Sequence, residues 1–218
     1  MDYRVLTVSR EFGSGGGRIA KTVAERLGWK LLDGALIEAI ACAAHVDFKL
    51  VSDYDEHVES WLRRMNRQAM RGAALAAGVV LDEGNCFDAD VMTELTRQIV
   101  EQAYADGNCV IVGRGAQCIL QRKLEAFHVF VYAPFQDRLH RLRTRLGPGV
   151  NIEHRILAVD AERALYLQQR FGKAWNSPHL YDLMLSSSED EDSTAELILY
   201  AITGGNWKHD HSGSALPG

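Results

Sequence analysis

The sequence predicts an α/β fold with a mostly parallel sheet, and three observations carry that expectation. An apolar run rich in β-branched residues near the start of the chain passes through a glycine cluster into a segment whose apolar residues, Ile19, Ala20, Val23, Ala24 and Leu27, recur at helical spacing. Cys109-Val110-Ile111-Val112 is a continuous apolar run, the pattern of a strand buried on both faces of a parallel sheet. Strand patterns of this kind alternate with helical ones along the chain, and alternation of that sort defines the class.

Taken in order, the first strand is expected over 4–8 and the first helix over 17–27, with Arg18, Lys21, Glu25 and Arg26 on its polar side and Gly28 closing it. A brief second strand over 29–32 leads to Asp33, which suits the N-cap of a helix over 35–44. Asp33 has a second reading, as a carboxylate at the carboxyl end of a strand, where open α/β sheets place their ligand crevice. Residues 47–78 are strongly helical in pattern, with Trp61, Leu62, Met65, Ala69 and Met70 at spacings of three and four and Arg63, Arg64, Arg67 and Arg71 beside them. That stripe suits core packing or a homodimer contact, and the arginines a solvated face. The turn-rich Asp82-Glu83-Gly84-Asn85 is a hinge candidate.

A helix over 91–105, the strand over 109–112 and a strand over 127–132 follow. Pro134 opens a helix that Gly147-Pro148-Gly149 breaks, and a further helix covers 152–171. A turn at Asn176-Ser177-Pro178, a strand over 181–185 and a closing helix over 194–203 complete the domain. Residues 205–218, rich in Gly, His, Ser and Pro, are expected to be a disordered tail.

The chain has 218 residues, 47% of them apolar, which fits one sizeable domain with a small inserted lobe. A net charge of −5 argues against a protein that coats a nucleic-acid polymer. The most apolar stretch, 72–81, is too short to cross a bilayer and no signal-peptide pattern opens the chain, so a cytoplasmic enzyme is expected. Cys42, Cys86, Cys109 and Cys118 stand singly, and His45, His57, His128, His140, His154 and His179 are scattered. No metal site held by cysteine or histidine is expected from that spacing.

The glycine cluster is the chemically informative stretch. Glycines at a strand-to-helix turn allow positive φ and bring N–H groups close to a ligand, while the following helix aims its positive dipole end at the same point, so phosphate is the ligand the pattern suits best. The match to the phosphate loop G-x-x-x-x-G-K-[ST] is partial. With Gly15 as its second glycine, Arg10 stands in the first glycine's place, Gly16 in the lysine's and Gly17 in that of the metal-binding hydroxyl. Arg114, between Gly113 and Gly115 at a strand's carboxyl end, is placed to fork onto a phosphate or carboxylate. Arg138, Arg141, Arg143, Arg145, Arg155, Arg163 and Arg170 fall on two helices joined by the Gly-Pro-Gly break, an arrangement suited to closing over a polyphosphate.

Val8-Ser9-Arg10-Glu11-Phe12-Gly13-Ser14-Gly15-Gly16, Leu32-Asp33, Ile111-Val112-Gly113-Arg114-Gly115, Tyr132-Ala133-Pro134, Gly172-Lys173-Ala174-Trp175 and Tyr181-Asp182-Leu183 together resemble the cytidylate kinase-like family over nearly all of residues 3–203. The resemblance implies a P-loop NTPase-like three-layer sandwich with a five-stranded parallel sheet in the order 2-3-1-4-5. It implies one kinase-like domain over 1–204, with a helical acceptor-binding insertion at about 45–90 and a lid at about 141–172. The implied activity is transfer of the γ-phosphoryl group of ATP to CMP or dCMP with Mg²⁺; an alternative is a P-loop-like protein that binds a nucleotide or a partner chain without turnover. By position, Gly13, Ser14, Gly15, Gly16, Gly17, Arg18 and Lys21 would hold donor phosphates, and Asp33 and Arg114 the acceptor. Asp160 and Arg163 would belong to the lid over the active centre, with Arg141, Arg145 and Arg170 as further lid arginines. With no lysine in the loop, Arg18, Lys21 and Arg10 are the candidates to bridge the β- and γ-phosphates, Arg18 foremost. Ser14 is a weak substitute for the missing metal-binding hydroxyl.

Overall fold

The computed structural model describes residues 2–34, 89–147, 151–188 and 190–205. The helices expected over 35–44 and 47–78, the stripe from Trp61 to Met70, the turn at 82–85, Pro148 and Gly149, and the tail beyond Gly205 lie outside the described residues.

Five parallel strands form one sheet in the order β2-β3-β1-β4-β5. They are β1 Val5–Arg10, β2 Lys30–Leu32, β3 Cys109–Val112, β4 Ala126–Tyr132 and β5 Leu183–Ser186. The central strand, β1, pairs with β3 from Val5↔Cys109 to Val8↔Val112 and with β4 from Val5↔Ala126 to Arg10↔Val131. Its carboxyl end therefore projects between two neighbours, the place where ligands bind in open parallel sheets.

On one face, Leu6, Val8, Val110, Val112, Phe127, Val129 and Val131 form a core with α1 (Gly16–Leu27) and the last helix. The opposite face carries Cys109, whose Sγ–H donates to the Ala103 carbonyl of α2, Ala89–Asp106. A short α3, Ala116–Ile119, follows β3. Helices on both faces make the three layers. On the α2 side Thr7 and His128, directly opposite in register, are joined through Oγ1 and Nδ1 at 2.7 Å.

The remaining helices are α4 Phe135–Leu146, α5 Ile152–Phe171 and α6 Glu191–Ile202, with a 3₁₀ turn at Pro178–Leu180. α4 and α5 share a small core of Leu139, Leu142, Ile152 and Ile156, against which Phe12 packs. Gly28 closes α1 in the left-handed region, its N–H reaching Ala24 and Glu25 carbonyls, and Asn151 caps α5 by accepting from the His154 N–H.

Several boundaries differ from the sequence reading. β1 extends to Arg10 rather than ending at Val8, because pairing with β4 continues through the polar Ser9 and Arg10. β5 begins at Leu183 rather than Tyr181, since Asp182 donates its N–H to the His128 carbonyl and returns its carboxylate to the His128 N–H at 2.7 Å. α6 starts at Glu191 because Asp190 caps it, accepting from the Ser193 N–H at 2.6 Å. Cys109 and Cys118 are free thiols, with burial pushing them up to about 12 and about 11. Among the described residues, no helix is long and apolar enough to cross a membrane.

Candidate functional site

The turn leaving β1 is built on positive φ at Gly13 (85°) and Gly15 (82°), the second being the N-cap of α1. Neither position has room for a side chain. A Cβ on Gly13 would come within 2.8 Å of Leu142 Cδ1, and one on Gly15 would overlap the Glu191 carboxylate.

One side of this loop is tied down. The Ser14 carbonyl accepts from Arg141 Nη1 at 3.2 Å and from Ser187 Oγ at 2.5 Å, and Arg141 also donates to Ser187 Oγ and to its carbonyl. The Glu11 N–H donates to the Val131 carbonyl at 3.0 Å, and the Glu11 carboxylate accepts from the Ala133 N–H at 3.1 Å. The other side is open: the N–H groups of Gly13, Gly15, Gly16 and Gly17 meet no acceptor among the described residues. Converging amides at the positive end of a helix are a donor set for phosphate oxygens.

Beside those amides lies a group of arginines. The stem of Arg10 covers Gly16, where a Cβ would meet Arg10 Cβ at 2.5 Å and Cγ at 3.1 Å. Its guanidinium continues to Gly113 at the end of β3, so close that a Cβ there would overlap Nη1. Arg114 follows with φ 55°, a left-handed backbone that costs a non-glycine residue about 1 kcal/mol, and its Nη2 donates to the Gly34 carbonyl at 3.4 Å. Arg163 of α5 donates to the Arg10 carbonyl at 2.7 Å, and the Arg155 and Arg163 guanidinium groups each lie over the Phe12 ring, 5.9 Å from its centroid.

The electrostatics reflect this crowding. Burial pulls the Arg10 guanidinium down to about 10, helped by the positive charges of Arg163 and Arg114 and opposed by Asp33. Burial also lowers Arg163, against the pull of Asp160. Like charges that disfavour one another at the end of a sheet are stabilised by a multiply charged anion.

Asp160 holds this assembly in place. Its carboxylate accepts the Phe12 N–H at 2.7 Å and Arg138 Nη1 at 2.5 Å, with Arg163 Nη1 at 3.7 Å. Arg138, nearly buried, also faces the Glu11 carboxylate at 3.5 Å and donates to the Phe12 carbonyl at 3.4 Å. On the far side of the loop, a cleft of about 460 Å³ is lined by Arg18, Thr22, Arg141, Asp190, Glu191 and Asp192.

A profile of the cytidylate kinase-like family matches residues 5–189. The chain belongs to that family. Among individual proteins, a cytidylate kinase of Shewanella sediminis is 29% identical over 90 residues, which are 41% of this chain and 39% of that protein, so the match spans less than half the length of this curated relative. An uncharacterized protein from Eubacterium ventriosum has a solved structure with the same fold, at TM-score 0.64 and 18% identity, covering 91% of this chain and 98% of that one. A shikimate kinase from Acinetobacter baumannii in complex with shikimate aligns at TM-score 0.47 and 14% identity, over 94% of this chain and 96% of its own.

In this cytidylate kinase-like chain the predicted site residues separate into groups. Gly13, Ser14, Gly15, Gly16 and Gly17 form the loop, and Arg114 and Arg163 flank Arg10 beside it, with Asp33 close enough to act on the Arg10 charge. Arg18 lines the cleft with Arg141 and donates to Glu191 Oε2 at 2.5 Å, in a pair that raises its pKa. Lys21 reaches along α1 to Glu25 at 3.8 Å. Arg141 fixes the loop carbonyl, Arg145 is exposed, and Arg170 lies near Tyr166. The seven arginines of α4 and α5 are thus divided: Arg143, for example, pairs with Glu153 at the surface.

The residues offer Mg²⁺ little. Ser14 is buried with its hydroxyl donating to the Glu11 carbonyl at 2.9 Å, and Gly17 has no side chain. Among the described residues there is no group of three or more carboxylate, histidine or cysteine side chains that would hold a metal. Among the described residues, Mg²⁺ is thus offered no cage of protein side chains, whereas an ion carried on the donor's phosphates asks for one or two oxygens at most.

The sequence reading set Arg18 ahead of Arg10, which the structure places among Gly16, Gly113, Arg114 and Arg163, and it did not single out Arg138 and Ser187, which anchor the loop. A usable signal for Arg10 was present, since alternation along β1 places it on the face of Leu6 and Val8, toward the helix that begins with consecutive glycines.

Proposed function

We propose that this protein is an ATP-dependent phosphotransferase that phosphorylates a small anionic acceptor, of which a nucleoside monophosphate such as CMP or dCMP fits best. The observation that carries the reading is the set of unengaged amides at Gly13, Gly15, Gly16 and Gly17 beside the Arg10, Arg114 and Arg163 guanidinium groups. Amides at the start of α1 bind the donor's phosphates, and its nucleoside occupies the cleft between Arg18, Thr22, Arg141 and Glu191. The acceptor's phosphate lies against Arg114 with Asp33 at the edge of its pocket, at the carboxyl ends of β3 and β2.

In the reaction an acceptor phosphate oxygen attacks the γ-phosphorus, the bond from that phosphorus to the β–γ bridging oxygen breaks, and ADP leaves with the bond's electron pair. The products are ADP and a nucleoside diphosphate. Such transfer needs alignment and charge neutralisation rather than a covalent group from the protein, which suits amides and guanidinium groups. Arg163 reaches the centre from α5, and Asp160 positions it.

A coupled assay for ADP release over a panel of nucleoside monophosphates, with ATP and Mg²⁺, tests the reading. Turnover dependent on one monophosphate supports it. ATP binding by calorimetry with no turnover on any of them overturns it in favour of a nucleotide-binding protein without catalysis.

A further inference from the structure

We propose that Arg10, reaching across from the central strand, supplies the cation that the loop lysine supplies in other phosphate loops, at the bond between the donor's β- and γ-phosphates. The inference rests on the phosphotransferase reading for its catalytic part and on the loop geometry alone for its binding part.

The argument starts from Gly16. A phosphate loop ordinarily carries a lysine there, in the first turn of the helix, reaching over the loop toward the β- and γ-phosphates. In this chain the space into which a Gly16 side chain would grow is filled by Arg10, with Cβ 2.5 Å and Cγ 3.1 Å from the point where a Cβ would stand. From its Cγ to its terminal nitrogens Arg10 has as many bonds as a lysine at position 16 would have from Cβ to Nζ. The arginine therefore starts its outer half where the lysine side chain would start, and carries a charge of the same sign over a similar length.

Arg10 is then aimed along the ends of the strands. Nη1 lies against Gly113, which is kept free of a side chain by that contact, and the charges of Arg114, Arg163 and Asp33 act on it there. The stem is fixed by Gly16 and the carbonyl by Arg163, so the guanidinium is positioned before any ligand arrives. Preorganised charge of this kind stabilises a transition state more than charge that must be gathered from solution. The two other basic candidates are already ion-paired, Arg18 with Glu191 at 2.5 Å beside Gly15 and Lys21 with Glu25 at 3.8 Å, and both basic side chains are largely in solvent.

The same geometry accounts for both departures from the phosphate-loop pattern, at positions 10 and 16. A lysine at 16 and an arginine at 10 would compete for one volume, so glycine at 16 is the counterpart of the arginine. Gly16 is not among the residues with positive φ, and its helical backbone accepts a side chain once Arg10 is shortened.

The test uses the full chain and four proteins: wild type, Arg10→Met, Arg10→Ala, and Arg10→Ala with Gly16→Lys. Methionine keeps an apolar stem over Gly16 and removes the charge, so a folding defect is separable from loss of the cation, and thermal melting checks that each variant is folded. Inorganic tripolyphosphate binding is measured by calorimetry, and ADP release by single-turnover kinetics. Arg10→Met is expected to weaken tripolyphosphate binding by about tenfold and slow transfer by about a hundredfold. The Gly16→Lys double variant is expected to recover most of both losses relative to Arg10→Ala. Tripolyphosphate binding by folded Arg10→Met equal to wild type overturns the inference, as does a folded double variant no better than Arg10→Ala. Arg10-dependent tripolyphosphate binding with no turnover of any monophosphate by wild type overturns the proposed activity and leaves the placement of Arg10 standing.

Discussion

The carboxylate of Asp160 accepts the main-chain N–H of Phe12 at 2.7 Å, and so joins helix α5 to the turn just before Gly13. The same carboxylate takes the Arg138 guanidinium of α4, while the Phe12 carbonyl returns to that guanidinium at 3.4 Å. Loop and both arginine-bearing helices are thereby built around one acidic side chain.

Replacing it tests that role. Asp160→Asn keeps an acceptor for the Phe12 N–H but leaves the nearly buried Arg138 with the Glu11 carboxylate at 3.5 Å as its remaining charged partner, and a cost of about 2 kcal/mol is expected from the lost charge-assisted hydrogen bond. A drop in the urea midpoint at unchanged slope is the measurement. Transfer should slow as well, through misplacement of Arg163, and tripolyphosphate binding should weaken with it, because Arg163 holds the Arg10 carbonyl.

Gly113→Ala and Gly28→Ala make an informative pair. Both glycines have positive φ, at 79° and 65°, so each substitution pays a backbone cost of about 1 kcal/mol. Only at Gly113 does the new methyl group displace a guanidinium, that of Arg10, whereas space around Gly28 is open. Equal destabilisation with a selective loss of transfer in Gly113→Ala is expected from steady-state kinetics and thermal melting.

Ser14→Ala removes a hydroxyl that serves the Glu11 carbonyl. The expected result is a stability loss of about 1 kcal/mol with the Mg²⁺ dependence of turnover unchanged. A raised Mg²⁺ requirement in a titration of initial rates would instead make Ser14 a metal ligand.

His128 gives stability a pH dependence. Burial holds its pKa below the ordinary value, outweighing the Asp182 charge and a hydrogen bond to the Leu120 backbone, both of which favour protonation. The folded state thus takes up its proton at lower pH than the unfolded chain, where histidine titrates at about 6.5. Its contribution is complete above that value and is lost as pH falls from there through the folded pKa. Urea midpoints measured from neutral to mildly acidic pH should decline in wild type, and the decline should be shallower in His128→Gln.

Much of the fold was legible because periodicity is a local property. Cys109–Val112 and Ile152–Phe171 carry uninterrupted patterns, and their expected limits coincide with the observed ones. The end of β1 was not legible, since Ser9 and Arg10 are polar and only their pairing with Phe130 and Val131 makes them strand. The four-residue α3 is too short to show a period. Within the site, the glycines and Arg114 announced themselves through spacing. The contact among Arg10, Gly16 and Gly113 did not, because it joins strand end, helix start and a second strand end that are brought together only by the parallel register. The even spread of arginines over α4 and α5 likewise conceals that Arg138 and Arg141 face inward to the loop while Arg143 and Arg145 face water.

The shared volume of residues 10 and 16 also constrains how such a chain can change over time. If Arg10 takes the lysine's place as proposed, an arginine-to-lysine handover passes either through a chain with two bulky cations in a single slot or through one with neither. Descendants should consequently retain the pair or exchange both members, and a survey that scores competence by a lysine at one column of an alignment would pass over a chain whose charge arrives from the other side.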